Sequence, residues 1–301
     1  MKKILVIGSL NADIVVCVPH IPVAGETILA ETADIIPGGK GANQAYAAGK
    51  LGAQTIMFGA VGADRYAEIE KKSLQSAGVD VSHLLVRNDC ATGLAWITVN
   101  DAGDNSIVVV PGANTTLSEK DIIDNDDLLQ NCDIILCQLE IPMQTVLYAA
   151  RRAKELSKTF ILDPAPAPKV FPSELYAYID IIKPNETELA LLTGKNLSDY
   201  ENASDILRAK GVKNVIVTLG EKGAFVNSEV DGKHLVPARP VPVVDTTAAG
   251  DSFTAALAVQ LASGASLLQA VHYANEVAAI VVTRKGAQTS IPSAAEVSFD
   301  D

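Results

Sequence analysis

Short, unbroken apolar runs alternate with longer stretches of helical period along most of the chain. Ile4–Ile7, Ile134–Cys137, Phe160–Leu162, Ile179–Ile182 and Val215–Val217 carry almost no polar residues, as strands buried on both faces of a parallel sheet do. Between them, Ala42–Leu51, Asp64–Ala77, Met143–Leu156, Thr187–Leu192 and Ala203–Lys210 read as helices, and Val271–Thr283 as a buried helix further on. Alternation of this kind predicts a doubly wound α/β core, with ligands past the carboxyl ends of its strands. Two stretches lack the helical period, residues 13–38 and 92–112. There Ile14–Val16, Thr27–Leu29, Leu94–Val99 and Ile107–Val110 look like four short strands, with a turn at Asp101–Asn105. The expected organisation is an α/β core of residues 1–12, 39–91 and 113–301. A small sheet of residues 13–38 and 92–112 projects from it, to close over a substrate, pair with a second subunit, or both.

With 301 residues and a formal charge of −12, the chain can bury a large core and carries no basic footprint for nucleic acid. A single nucleotide is still compatible with that charge. No apolar run is long enough to span a membrane, and the run after Met1-Lys2-Lys3 turns polar too soon for a signal peptide. A cytoplasmic protein is expected, its acidic end Ser298–Asp301 frayed. Cys17, Cys90, Cys132 and Cys137 form no CxxC pair and read as buried free thiols, and the four histidines have no zinc spacing.

The chemistry concentrates in Asp245-Thr246-Thr247-Ala248-Ala249-Gly250-Asp251, which joins a β-rich segment ending at Val244 to an Ala-rich helix. A small-residue turn opening a helix leaves amides free to hold an anion. Asp251 reads either as an ordinary capping Asp or as a carboxylate facing a hydroxyl while the amides face a phosphate. Neither a Walker A motif nor GxGxxG is present. Pro37–Gln44 is a glycine-rich turn opening a helix: a loop and helix start, or a backbone approach for a small ligand, with Asn43 able to bond a sugar hydroxyl both ways. Asn11 and Asp13 follow the first strand, and Glu140 follows Ile134–Cys137, so all three belong to one edge of the sheet. Each alone reads as a turn or cap residue; together they suit a polyol. Asn185-Glu186-Thr187-Glu188 reads as a capped helix start in which Glu188 could hold Mg²⁺ through water. Thr218–Gly223 is a tight turn or a nucleotide lining, and Asn275 either faces a base or satisfies nearby backbone.

SLNAD, PGGKGANQA, QLE, KPNETE, TLGEKGA, DTTAAGD and TRKGAQTSIP, in this order and over nearly the whole chain, resemble the ribokinase-like (PfkB) sugar kinases. GGKGANQA and DTTAAGDSF are the specific signals. The resemblance implies a three-layer α/β domain with a mostly parallel sheet and a β-sheet lid. It implies MgATP-dependent phosphorylation of D-ribose at its 5-hydroxyl, and a homodimer formed by crossing lids. Asp251 would be the base, and Ala248, Ala249 and Gly250 the anion hole. Asn11, Ala12, Asp13, Gly39, Lys40, Gly41, Asn43 and Glu140 would surround the sugar. Asn185, Thr218, Leu219, Gly220, Glu221, Lys222, Gly223, Gly250 and Asn275 would line ATP, although Asn275 stands where the family varies. Asn185 and Glu188 would organise Mg²⁺ and its waters. K⁺ would sit by Asp245, Thr247, Val281, Arg284, Gly286 and Ser290, with several ligands being backbone carbonyls; without an ion, Asp245 would bond nearby amides. Deoxyribose, a ketohexose or a nucleoside is the rival substrate, and a non-catalytic sugar- or nucleotide-binding protein the rival class.

Overall fold

The computed structural model describes residues 2–298; Met1 and most of the acidic end expected to fray lie outside the described residues. One sheet of eight strands organises the chain. Its order is Gly232–Val236, Ala224–Ser228, Asn214–Thr218, Ile181–Ile182, Thr159–Leu162, Ile134–Cys137, Lys3–Ile7 and Gln54–Phe58. The last six run parallel, and the first two form an antiparallel hairpin on one edge.

Residues Ile4 to Ile7 are wholly buried and alternate between two apolar cores. Ile4 and Val6 pack with helices Lys40–Lys50, Arg65–Ser76, Ala249–Ser263 and Leu267–Val281. Leu5 and Ile7 pack with Met143–Glu155, Glu186–Thr193 and Tyr200–Ala209. The α/β sandwich therefore has three layers, because a strand with no polar face must be covered on both sides.

A separate sheet has the order Thr32–Gly38, Asn11–Val18, Gly93–Asn100, Asn105–Val110. Its inner pair runs parallel and its outer pairs antiparallel. The strand expected at Thr27–Leu29 is instead irregular, with Leu29 exposed. Register explains the shift. Gly38 pairs with Asn11 and Thr32 with Cys17, so the partner strand is used up before Thr27 is reached. Pro37 is accommodated because Thr32–Gly38 is an edge strand. Strand Asn105–Val110 is exposed along its whole length, and Trp96 is half exposed.

Other expectations change in detail. The β-rich segment before Asp245 ends at Val236, not Val244; Pro237, Pro240 and Pro242 then remove three of the amides a ladder would need. Only Ile181–Ile182 of the run Ile179–Ile182 is strand. All four cysteines are free, yet only Cys132 and Cys137 are buried; Cys17 and Cys90 are partly exposed. Among the described residues no helix is long and apolar enough to cross a membrane.

Candidate active site

Helix Ala249–Ser263 begins at the carboxyl end of the sheet without a side-chain cap. Its N-cap, Ala248, has φ 60°, a left-handed conformation costing a non-glycine residue on the order of 1 kcal/mol. Ala248, Ala249, Gly250 and Asp251 all line a cavity of about 880 Å³. The positive end of the helix and the amides of Gly250 and Asp251 favour an anion there; the Ala249 amide, expected in the anion hole, instead donates to the Thr246 carbonyl (3.2 Å). Asp251 is not a capping residue. It is buried, and its carboxylate accepts from Asn43 Nδ2 at Oδ2 (3.2 Å) and from Gln44 Nε2 at Oδ1 (3.1 Å).

The glycine-rich turn packs against the end of the first strand. Gly39 has φ 84°, and a Cβ on Gly41 would come within 2.5 Å of the Ser9 amide nitrogen, so neither tolerates a side chain. Glu140 Oε2 accepts from the Lys40 amide (3.0 Å) and from the Ser9 hydroxyl, and Ser9 Oγ accepts from the Gly41 amide (3.2 Å). Asn11 is fixed by Asn114, whose Nδ2 donates to Asn11 Oδ1 at 2.8 Å. Ala12 is buried in its strand and can offer a ligand only backbone. The Asp13 carboxylate lies against Gly38. Burial first, then the charges of Glu140 and Asp251, push the Asp13 pKa up to about 7. Asn11, Asp13, Asn43, Glu140 and Asp251 thus converge, although they come from four segments. Lys40 supplies positive charge; the Asp251 carboxylate raises its pKa against the opposing effect of burial.

The rest of the cavity is lined by Asn185, Glu188, Thr218, Gly220 to Gly223 and Asn275. Leu219 departs from expectation: its side chain is buried in the second core, because a leucine at the end of a buried strand packs inward. Asn275 Nδ2 donates to the Val236 and Pro237 carbonyls (3.0 and 3.4 Å), which leaves its carbonyl oxygen for other partners. Asn185 and Glu188 form a reciprocal capping box. It occupies Glu188 Oε2, leaving Oε1 for a hydrated cation. Asp163 Oδ1, buried without a partner on the cavity wall, is a second oxygen that suits such water. Among the described residues no group of three or more His, Cys, Asp or Glu is disposed to hold a metal ion.

Around Asp245 two loops meet. Its Oδ1 accepts from the Thr247 amide (2.9 Å) and hydroxyl (2.6 Å), and its Oδ2 accepts from the Gly286 amide (2.9 Å). Burial raises its pKa, but these bonds outweigh it and hold the carboxyl below its usual range. Asp245 thus bonds the amides of Thr247 and Gly286, one on each loop. Val281 and Arg284 could serve a cation only through their carbonyls: the Val281 side chain is buried, and the Arg284 guanidinium donates to Ser290 O and Glu296. Ser290 Oγ donates to Ala287 O.

Sequence reasoning missed several buried polar groups in this lining and behind it. Lys183 Nζ donates to the Gly250 carbonyl (3.3 Å) and lies 3.2 Å from Asp163 Oδ2. Gln138 donates to Gln44 Oε1 (2.7 Å), and Gln44 Nε2 also donates to Asp163 Oδ2 (2.9 Å). Asp163 and Lys183 were findable: each directly follows a buried strand, at the same carboxyl edge of the sheet that drew attention to Asn11 and Glu140. Glu70, wholly buried below the Gly38 amide, carried no sequence signal; burial raises its pKa, with a smaller push from Asp13.

Residues 1–294 match the pfkB family of carbohydrate kinases. The chain is 39% identical to a ribokinase of Haemophilus influenzae over 299 residues, 98% of this chain and 97% of that one. It is also 38% identical to a deoxyribokinase of Salmonella typhi, over 96% of this chain and 95% of that one. The structure of an Arabidopsis thaliana ribokinase complexed with ribose and ATP superposes with a TM-score of 0.93 at 36% identity, covering 98% of this chain and 97% of that one. A whole-chain family match and a fold shared at that level settle the class: the chain belongs to the pfkB family of carbohydrate kinases, phosphotransferases with the ribokinase-like fold.

Proposed function

We propose that the protein phosphorylates D-ribose at O5 with MgATP, giving D-ribose 5-phosphate and ADP. The observation that carries this reading is the position of Asp251. Its carboxylate is held by Asn43 and Gln44 on the polyol side, while its own helix turn lines the cavity. The ribose-and-ATP complex of the Arabidopsis relative supports the choice of sugar and nucleotide.

In this reading Asn11, Asp13, Asn43 and Glu140 hold the ribose hydroxyls, with the backbone of Ala12, Gly39, Lys40 and Gly41 around them. Asp251 accepts the proton of the 5-hydroxyl. As that O–H bond breaks, O5 bonds to the γ-phosphorus and the bond from phosphorus to the β,γ-bridging oxygen breaks, so ADP leaves. Phosphoryl transfer depends on positioning and charge stabilisation. The amides of Gly250 and Asp251 and the Lys183 ammonium supply the positive field for the transferring oxygens. Glu188 and Asn185 would organise the waters of Mg²⁺, which when bound would neutralise phosphate charge.

We infer a K⁺ site where the Asp245–Gly286 bond joins the two loops, with Thr247 and the carbonyls of Val281, Arg284 and Ser290 available to it. We also infer a homodimer through the exposed apolar strand Asn105–Val110 and its neighbours, and a cytoplasmic location, where ATP is made. An assay of ADP release over ribose, 2-deoxyribose, fructose and a ribonucleoside tests the activity. Ribose should give the highest kcat/KM; a preference for any of the others contradicts the assignment.

A further inference from the structure

A line of hydrogen bonds runs from helix Arg65–Ser76 to the proposed base. Ser73 Oγ donates to Gln288 Oε1 (2.5 Å), Gln288 Nε2 donates to Asn43 Oδ1 (3.3 Å), and Asn43 Nδ2 donates to Asp251 Oδ2 (3.2 Å). Gln288, Asn43 and Asp251 are all buried, so each must find its partners within the protein. An amide can face a neighbour with either its oxygen or its nitrogen. The carboxylate removes that choice, because it can only accept. Asn43 must turn its nitrogen to Asp251, which leaves its oxygen facing Gln288. Gln288 must then present its nitrogen, and its oxygen takes the Ser73 hydroxyl. The order of donors is self-consistent along the whole line. Gln288 also begins the short turn Gln288–Ser290 in the loop whose Gly286 amide bonds Asp245.

We propose that Gln288 is a positioning residue of the sugar site, pairing the Asn43 oxygen and so holding the Asn43 amide in the one orientation the Asp251 carboxylate accepts, which joins the loop at 284–290 to the reacting groups. Gln288 touches neither nucleotide nor sugar in this arrangement; it acts through Asn43. The inference rests on the reading of Asn43 as a sugar contact and Asp251 as the base. Without Gln288, Asn43 Oδ1 is buried and unpaired, and only the bond to Asp251 still orients the amide.

The test is a set of steady-state measurements with ribose and ATP on the full-length protein. Gln288→Leu should lower kcat/KM for ribose about ten-fold, the effect of one lost buried hydrogen bond, while KM for ATP stays within two-fold. A general loosening of the fold would raise both KM values. Gln288→Glu should do more harm than Gln288→Leu, because it turns an acceptor toward Asn43 Oδ1 and drives the Asn43 carbonyl onto the Asp251 carboxylate. In an Asn43→Ala background, Gln288→Leu should change kcat/KM less than two-fold. Additive losses in that pair, or a wild-type kcat/KM for Gln288→Leu, would overturn the proposal. Should Gln288→Leu fail to fold, Ser73→Ala reads the same line from its outer end: a roughly three-fold loss that vanishes in the Asn43→Ala background supports it, and no loss overturns it. Unchanged activity of Asn43→Ala alone would bring down the sugar-site reading itself, a result distinct from additivity.

Discussion

Lys183 and Asp163 form an ion pair of 3.2 Å with both side chains almost completely buried. Removing two charges from water is costly, and the attraction between them rarely returns the whole cost. A pair in this position is better understood through the Gly250 carbonyl, to which Lys183 also donates, and through the anion expected beside it. Burial raises the pKa of Asp163, while Lys183 and Lys40 oppose the shift.

Removing the cation should therefore harm both stability and turnover. Lys183→Met leaves a carboxylate buried without its partner, and kcat should fall roughly 10²-fold, as for loss of one donor to a transition-state oxyanion. The double variant Lys183→Met/Asp163→Asn should regain most of the lost melting temperature and none of the lost kcat. Recovery of both together would mean that Lys183 is only a structural partner of Asp163.

Asp13 predicts a pH dependence of stability. Its folded pKa of about 7 lies above the ordinary value of 3.8. The folded protein therefore holds a proton that the unfolded chain gives up, and stability falls with rising pH in this window. The contribution is fully present below about pH 4 and is lost as pH rises through about 7. Asp13→Asn, which cannot ionise, should gain melting temperature over the wild type more at pH 8 than at pH 5, with ribose absent. An equal difference at the two pH values would show that Asp13 is not strained by burial and by its neighbours.

Five of the eight strands were legible because they are covered on both faces and their apolar runs are nearly unbroken; Gln54–Phe58, Ala224–Ser228 and Gly232–Val236 were not named, the last because it is exposed except at Val236. The small sheet was harder. Thr27–Leu29 has the composition of a strand, but pairing is decided by register with Asn11–Val18, and a stretch of one strand says nothing about where its partner ends. Among site residues, those carried by motifs, such as Asn43 and Asp251, were found. Gln44, Gln138 and Gln288 were not assigned roles, because a glutamine becomes meaningful only when three segments distant in sequence bring its amide to another buried polar group. Leu219 shows the converse: a residue inside a site motif can still belong to the core.

In the proposed reading, Asn11, Asp13, Asn43 and Glu140 set the choice of sugar. A sugar lacking one hydroxyl leaves a buried polar group unpaired, a cost on the order of 1–3 kcal/mol. The kcat/KM for 2-deoxyribose should accordingly be lower than for ribose by roughly 10- to 100-fold. Since one relative of comparable identity is a deoxyribokinase, equal values would reassign the sugar rather than the chemistry.

The cation proposal makes its own demand. A carboxylate at Asp245, close to an anion-binding turn, would repel phosphate unless neutralised. Activity should be higher in K⁺ than in Na⁺ at fixed ionic strength, and Asp245→Ala should erase most of that difference. An unchanged rate when K⁺ is replaced by Na⁺ or by a large organic cation would remove the site.

The central claim is that Asp251 takes the proton from the attacking hydroxyl. Asp251→Asn keeps the shape of the side chain and removes its charge. The direct measurement is kcat of this variant alongside its ribose affinity by calorimetry. General base catalysis typically contributes ~10²–10⁴-fold, so kcat should fall by at least that lower bound while the ribose Kd changes only a few-fold. A folded variant that binds ribose and turns over at a near-normal kcat would contradict the account.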